Sequence, residues 1–149
     1  MVVGTTTVLP NGTWSVTPNG PLPDGTHSIT VTETDAAGNQ SAASAPINFT
    51  VDTTPPLAPG NLVVSNDGGS ISGTAEPGST VTIRDGNVIL GTSVADSEGN
   101  FTLTLTPPKL NGETLTANAT DAAGNTGPAT AAAAPDTTPP QTPVIVSVI

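Results

Sequence analysis

Apolar and polar residues alternate in short runs along most of this 149-residue chain. The clearest run is 101–106, in which Phe101, Leu103 and Leu105 alternate with threonines. Successive side chains of a β-strand point to opposite faces, so a period of two predicts strands with one face toward a core. No segment has the 3.6-residue period of an amphipathic helix. The strands predicted in the central part of the chain are 59–65, 70–75, 80–84, 88–94, 101–106, one around 115–119, and 127–134.

Seven short strands separated by turn residues predict an all-β fold, with two antiparallel sheets packed as a sandwich of the immunoglobulin type. The composition agrees, because the chain has 16 Gly, 16 Pro and 27 Thr but only 2% aromatic residues. Threonine favours strands, and Gly and Pro favour the turns between them. The predicted core is therefore small and poor in aromatic side chains.

The chain also contains an internal repeat of about 85 residues. The segment TDAAGN occurs at 34–39 and again at 120–125, and DTTPP occurs at 52–56 and again at 136–140. The phase of the repeat predicts three parts. Residues 1–52 correspond to the C-terminal half of one immunoglobulin-like repeat, 53–136 to a complete repeat, and 137–149 to a linker and the first strand of a following repeat.

Charge and residue usage exclude several functional classes. The net charge is −10, with Arg84 and Lys109 as the only basic residues, which argues against nucleic-acid binding. The chain has no Cys and only His27, which excludes a Cys/His zinc site and a cysteine nucleophile. No apolar run is long enough for a membrane helix, so membrane insertion is not expected. The opening segment MVVGTTTVLP has no features of a signal peptide.

The acidic loops of the complete repeat are predicted to meet the incoming linker at one end of the sandwich, because antiparallel strands reverse direction at each loop. The residues assigned to this junction are Asp52, Glu76, Asp96, Asp121 and Asn125. Carboxylates without a nearby Lys or Arg repel one another, and a cation relieves that repulsion. Ca²⁺ takes about six to eight oxygen ligands in flexible geometry, so Ca²⁺ is predicted in preference to Mg²⁺.

A second interpretation of these acids stays open. Asp and Asn in short loops also cap turns through hydrogen bonds to their own backbone. This interpretation applies to Asp35 and Asp121 as much as metal binding does, and Asp67, Asp85 and Glu113 are assigned to plain turns. The alternation along its strand predicts that the Glu33 side chain faces inward. The second repeat has Ala119 at the equivalent position. Glu33 is interpreted either as reaching solvent or as an added calcium ligand.

Four motifs of the complete repeat carry a resemblance to a known family: GTAEPGST at 73–80, DSEGNF at 96–101, TDAAGN at 120–125 and DTTPP at 136–140. Together they resemble the bacterial immunoglobulin-like repeats of giant type-I-secreted surface adhesins, including the biofilm-associated proteins. The resemblance implies tandem sandwich domains outside the cell, at the bacterial surface. It also implies calcium at the junctions with Asp52, Asp121 and Asp136 as ligands, and Asp35 matches the same motif.

These observations predict a stalk or spacer segment of an adhesin that supports adhesion and biofilm formation. Its expected partners are neighbouring repeats of the same chain, while other parts of the parent protein bind a host surface, an abiotic surface or a glycan. The alternative is a carbohydrate-binding module of a secreted enzyme, which would need exposed aromatic side chains. Trp14 and Phe101 occupy equivalent strand positions and are predicted to pack in the core. Catalysis is not expected.

Overall fold

The computed structural model describes residues 1–146, which form two compact units, Met1–Thr54 and Pro55 onward. The fold is all-β and antiparallel, as the alternation of apolar and polar residues predicts. No helix long and apolar enough to cross a membrane occurs in the described part of the chain.

Unit 1 (residues 1–54) contains one strand pair, β1 (Gly25–Ile29) with β2 (Ile47–Val51). In their antiparallel register, His27 lies opposite Phe49 and Ile29 lies opposite Ile47. The His27 and Phe49 rings stack with their centroids 5.6 Å apart. One face of the pair is therefore apolar, and the other carries polar side chains such as Ser28.

Unit 2 (residues 55–146 of the described chain) is a two-sheet sandwich of seven strands. Its strands are β3 (Gly60–Val64), β4 (Ser70–Thr74), β5 (Thr80–Asp85), β6 (Val88–Val94), β7 (Asn100–Thr104), β8 (Thr114–Thr120) and β9 (Thr130–Ala133). One sheet has the order β3-β4-β7 and the other the order β6-β5-β8-β9. Every neighbouring pair of strands is antiparallel.

The core of unit 2 lies between the two sheets and is made of the inward-facing residues of the alternating strands. Ile71, Val81, Ile83 and Leu115 are completely buried, and Phe101 is 4% exposed. Gly73 lets the Phe101 ring pack closely against its strand, because a side chain at position 73 would collide with that ring. Seven short strands thus enclose one small core, which is mostly aliphatic and contains Phe101.

Strand boundaries differ from the sequence predictions by a few residues. The last strand begins at Thr130 rather than 127, because Thr126 forms an isolated bridge with Thr120 in the preceding loop. Residues 137–146 form no strand. The predicted first strand of a following repeat lies partly outside the described residues and stays a prediction.

Candidate functional site

Three loops of the protein fold into the same five-residue turn, Asp-x-x-Gly-Asn, at 35–39, 96–100 and 121–125. In each, the backbone N–H of the Asp donates to the carbonyl of the Asn, at 3.0, 2.9 and 3.0 Å. The Gly has a φ of 90°, 86° and 94° respectively, a left-handed conformation that side chains other than Gly rarely adopt. The motif thus specifies a local backbone shape.

The Asp carboxylates hold these turns together. In all three turns the Oδ1 atom accepts the backbone N–H of the last residue, at 2.8, 2.8 and 2.9 Å. In the 35–39 and 121–125 turns, the Asn side-chain amide also donates to Oδ2 at 2.9 Å. These bonds lower the pKa values of Asp35 and Asp121, chiefly through the Asn side chains, and of Asp96 chiefly through the Asn100 backbone.

The loops that carry Glu76, Asp96, Asp121 and Asn125 lie at one end of unit 2, as strand alternation predicts. The register places Thr80, at the start of β5, opposite both Thr120 and Val94. Backbone bonds join the loops directly: the Ala75 N–H donates to Gly99 and the Gly78 N–H donates to Ala95. Strand β3 begins at this same end, because Gly60 lies opposite Thr74.

Both basic side chains of the chain lie toward the other end of unit 2. Arg84 is near the end of β5, and the Lys109 Nζ atom forms an ion pair with Asp85 at 2.7 Å. The hydrogen bond to Asp85 raises the pKa of Lys109. No cationic side chain therefore balances the carboxylates at the end where β3 begins.

The remaining predicted ligands are distributed among other places. Asp35 lies in its turn in unit 1, where Glu33, Asn39 and Gln40 line the same shallow surface depression.

Asp52 follows β2 at the end of unit 1, and Asp136 follows β9 in unit 2, where it bridges to Asn111 at the end opposite the 121–125 turn. Glu33 is exposed, and its backbone pairs with Ser41.

The residues that the structure describes form no group of three or more acidic, His or Cys side chains that could hold a metal. Calcium needs about six to eight oxygen ligands. The oxygen chemistry of the loops suits calcium, but the described acids do not gather into a cluster of three or more.

The residues of the linker are held firmly by unit 1. The Asp52 Oδ1 atom accepts the Thr54 backbone N–H at 3.0 Å. Asp24 accepts the Thr53 backbone N–H at 3.0 Å and the hydroxyls of Thr53 and Thr54 at 2.8 Å each. These bonds, above all that from the Thr53 hydroxyl, lower the pKa of Asp24. Asp24 thus fixes the first half of DTTPP.

The second copy of DTTPP is held in a similar way. The Asp136 Oδ1 atom accepts the Thr138 N–H at 2.9 Å, and the Thr138 hydroxyl donates to Asn111 at 2.7 Å. The Thr137 N–H donates to the Leu110 carbonyl at 2.9 Å. The sequence analysis did not predict that Asp24 or Asn111 holds the linker. The sequence does contain a feature that could have identified them. Each directly precedes a Gly, and each is separated from the following DTTPP segment by about the length of one β-hairpin.

The proline half of the linker belongs to unit 2. Pro56 is buried, and its carbonyl lies so close to Gly127 that a Cβ atom at position 127 would collide with it. Pro59 is also completely buried. The prolines restrict φ, and the contact with Gly127 adds a tertiary restraint.

The prediction that Trp14 packs in a core is wrong, whereas that for Phe101 is correct. Trp14 is 46% exposed, while Phe101 is 4% exposed. Phe101 is covered because β4 pairs with β7 and places Gly73 opposite it. The described residues of unit 1 contain no strand in the corresponding place.

Comparisons with known proteins agree with this architecture. The family model described as a bacterial Ig domain matches residues 55–136, and that described as a bacterial Ig-like domain matches residues 1–53. A solved structure titled "Biofilm associated protein - BSP domain" is 30% identical, with a TM-score of 0.50 over 93% of this chain. This chain spans 23% of that longer one. No curated protein sequence matches.

The resemblance inferred from the four motifs is therefore confirmed at the level of the family. The matched ranges place one domain match in each of the two units. The chain belongs to the bacterial immunoglobulin-like domain family.

Proposed function

We propose that this chain is a segment of an extracellular adhesin stalk, in which tandem domains are held in line and calcium bound between them stiffens the junction. The main support for the proposal is that each unit holds the half of the linker next to it. Asp24 holds Thr53 and Thr54, and Gly127 receives Pro56. These contacts on both halves of the linker support a short spacer rather than a flexible tether.

The similarity to a biofilm-associated protein supports a role at the bacterial surface, with neighbouring repeats of the same chain as the partners of each domain. The architecture supports a mechanical role without catalysis. Asp96 and Asp121 lie in turns whose geometry they maintain, and the shallow depression near Glu76 is lined mostly by apolar or small residues, Leu57, Ala58, Gly60, Thr74 and Ala75.

For calcium, the proposed ligands are Asp52 from unit 1 and the acidic loops of unit 2, above all Asp121. Asp52 precedes the docked Pro56 by four residues, so the chain keeps their Cα atoms within about 15 Å. Each turn carboxylate is ionised, because its hydrogen bonds lower its pKa, and an ionised carboxylate can accept a cation beside its N–H donors.

At an affinity typical of extracellular modules, tenfold excess calcium stabilises a site by about 1.4 kcal/mol. That contribution is small for one domain, but it would recur at each junction of an array.

Calorimetric calcium titration of the whole chain tests this proposal. Asp52→Asn and Asp121→Asn each remove a charge while keeping an oxygen that can accept the turn hydrogen bond, so both should abolish binding without unfolding the turns. Asp67→Asn is the matched control, because Asp67 also caps a turn, through the Gly69 N–H at 2.9 Å, but lies at the other end of unit 2. Equal calcium affinity in all four proteins would contradict the proposal.

A further inference from the structure

Asn111 holds the second DTTPP segment, residues 136–140, which we call the second linker, and it directly precedes Gly112. The Asn111 Oδ1 atom accepts the Thr138 hydroxyl at 2.7 Å, and the Asn111 backbone bridges to that of Asp136. Asn111 and Gly112 are both exposed. A side chain that holds the linker is thus part of an Asn–Gly pair that water can reach.

An Asn that precedes Gly can react with its own backbone, because the next residue has no Cβ atom to obstruct the approach. The Gly112 nitrogen attacks the Asn111 Cγ atom, the new N–C bond closes a succinimide ring, and ammonia leaves with the proton of that nitrogen. Water then opens the ring. Cleavage of the bond from nitrogen to Cγ gives Asp, and cleavage of the bond to the backbone carbonyl carbon gives isoaspartate. Either product replaces a neutral amide with a carboxylate.

The second linker and the residue before it hold both reacting groups. The Gly112 N–H donates to the Pro135 carbonyl at 3.2 Å, and the Thr138 hydroxyl holds the side-chain oxygen of Asn111. The nitrogen must leave its acceptor and the side chain must turn toward it before the ring can close. Local opening of residues 135–138 therefore has to precede the reaction.

Glu113 determines what the reaction does to the linker. Its carboxylate accepts the Asn111 backbone N–H at 2.9 Å, and this bond lowers the pKa of Glu113, so the group is ionised at neutral pH. Asp136 lies on the other side, because a Cβ atom at position 112 would be 3.5 Å from the Asp136 Cβ atom. A carboxylate at position 111 would thus be repelled by two others.

The first linker shows why the neighbouring residue matters. Asp24 holds that linker as a carboxylate, but Thr26 lies two positions after it where unit 2 has Glu113. Lys109 also interacts with Glu113, but its Nζ atom is paired with Asp85 at 2.7 Å. A carboxylate is therefore compatible with the first linker and opposed at the second.

We propose that Asn111 is a deamidation site controlled by the second linker. While the linker is in place, the bonds to Gly112 and Asn111 slow the closure of the ring. When the linker leaves, Asn111 is converted to Asp or isoaspartate, and repulsion by Glu113 keeps the linker from returning. The site belongs to unit 2 alone and requires no calcium.

Peptide mapping of the whole chain tests the first half of the proposal. Trypsin cleaves after Arg84 and Lys109, so Asn111–Gly112 is the only Asn–Gly pair of the peptide 110–149, and the others lie in the peptide 1–84. After incubation for weeks near neutral pH, mass spectrometry detects a gain of about 1 Da for each conversion. Asn19–Gly20, whose Cβ position is open, provides a reference rate within each sample.

Thr138→Val removes the hydroxyl that holds Asn111, so Asn111 should be converted at least about threefold faster than in wild type. Thr92→Val is the matched control, because Thr92 is exposed on β6, away from the linker, and it should leave the rate unchanged. The rate at Asn19 should be the same in all three proteins. An equal or slower conversion of Asn111 in Thr138→Val would overturn the proposal.

Asn111→Asp mimics one product and tests the second half. The Thr137 N–H donates to the Leu110 carbonyl at 2.9 Å, so its hydrogen exchange measures whether the linker is in place. Exchange should be about tenfold faster in Asn111→Asp and should slow again when Glu113→Gln is added, since Gln keeps the acceptor but removes the charge. Exchange as in wild type in Asn111→Asp, or no recovery with Glu113→Gln, would contradict the role of repulsion.

Discussion

At the scale of single residues, the aspartates of this protein act first as turn caps. Asp35, Asp96 and Asp121 each accept the backbone N–H of the residue four positions later, at 2.8 to 2.9 Å. The five-residue motif that contains them sets a reproducible loop, so its repetition in the sequence reflects backbone geometry as well as any ion. The two interpretations of these acids are compatible, because a carboxylate can cap a turn and also bind a cation.

The cap interpretation predicts an order of stability for substitutions of Asp121. Asp121→Ala removes the acceptors for both the Asn125 backbone and side-chain amides, whereas Asp121→Asn keeps one acceptor. In calcium-free buffer at pH 7, we expect the melting temperature to fall from wild type to Asp121→Asn to Asp121→Ala. Glu98→Gln, in a neighbouring exposed loop, is the control. A melting temperature unchanged in Asp121→Ala would contradict the cap interpretation.

The pH dependence of stability follows from the same hydrogen bonds. The folded pKa values of Asp24, Asp35, Asp96 and Asp121 lie below the ordinary value of 3.8. Their stabilisation is therefore fully present above that value and is lost as the pH falls through the lowered folded values. Thermal melts should be nearly constant from pH 7 to about pH 5 and fall steeply below about pH 4. A melting temperature that rises on acidification would contradict this assignment.

Gly127 is predicted to be essential for the docking of the linker. A methyl group at this position would meet the Pro56 carbonyl, so Gly127→Ala should displace Pro56 and destabilise unit 2 by about 1–3 kcal/mol. Gly20→Ala is the matched control, because a Cβ atom at position 20 meets nothing within 4 Å. Chemical denaturation of both variants measures the difference, and equal stabilities would show that the linker does not dock on Gly127.

At the scale of strands, the sequence was sufficient to predict most of unit 2 and much less of unit 1. The period of two along 101–105 predicts β7 and its buried residues, because a half-buried strand has apolar residues on its inward face and polar residues on its outward face. The exposure of Trp14 could not be predicted from its own strand, since burial depends on a second sheet. The roles of Asp24 and Asn111 were also missed, because their partners in the linkers lie 27 to 30 positions away in sequence.

The small core of unit 2 predicts strong sensitivity to truncation of β8. Leu115 is completely buried among the inward residues of both sheets, so Leu115→Ala should destabilise unit 2 by about 3 kcal/mol through lost burial and a cavity. Val94→Ala is the control, because Val94 is 63% exposed on a strand of the same sheet. Urea denaturation should separate the two variants clearly. A loss of less than about 1 kcal/mol for Leu115→Ala would place the core elsewhere.

At the scale of the whole molecule, the family assignment and the linker contacts both support the proposed mechanical role. In both DTTPP segments the Asp caps its own turn, and an Asp or Asn side chain from a preceding loop holds the threonines. The same hydrogen-bond arrangement therefore occurs in both copies of the linker. The chain carries a net charge of −10, and in the proposed array such charge would favour solubility and would attract cations to the acidic junctions.

Small-angle X-ray scattering of the 149-residue chain, with about 5 mM calcium and then with EDTA, measures whether calcium stiffens the junction. In calcium, we expect a single narrow distribution of interatomic distances, which broadens in EDTA as the junction becomes flexible. Asp52→Asn and Asp121→Asn should give the broad distribution in both buffers, and Asp67→Asn should behave as wild type. Identical scattering of the wild-type chain with and without calcium would contradict the claim that calcium stiffens this segment.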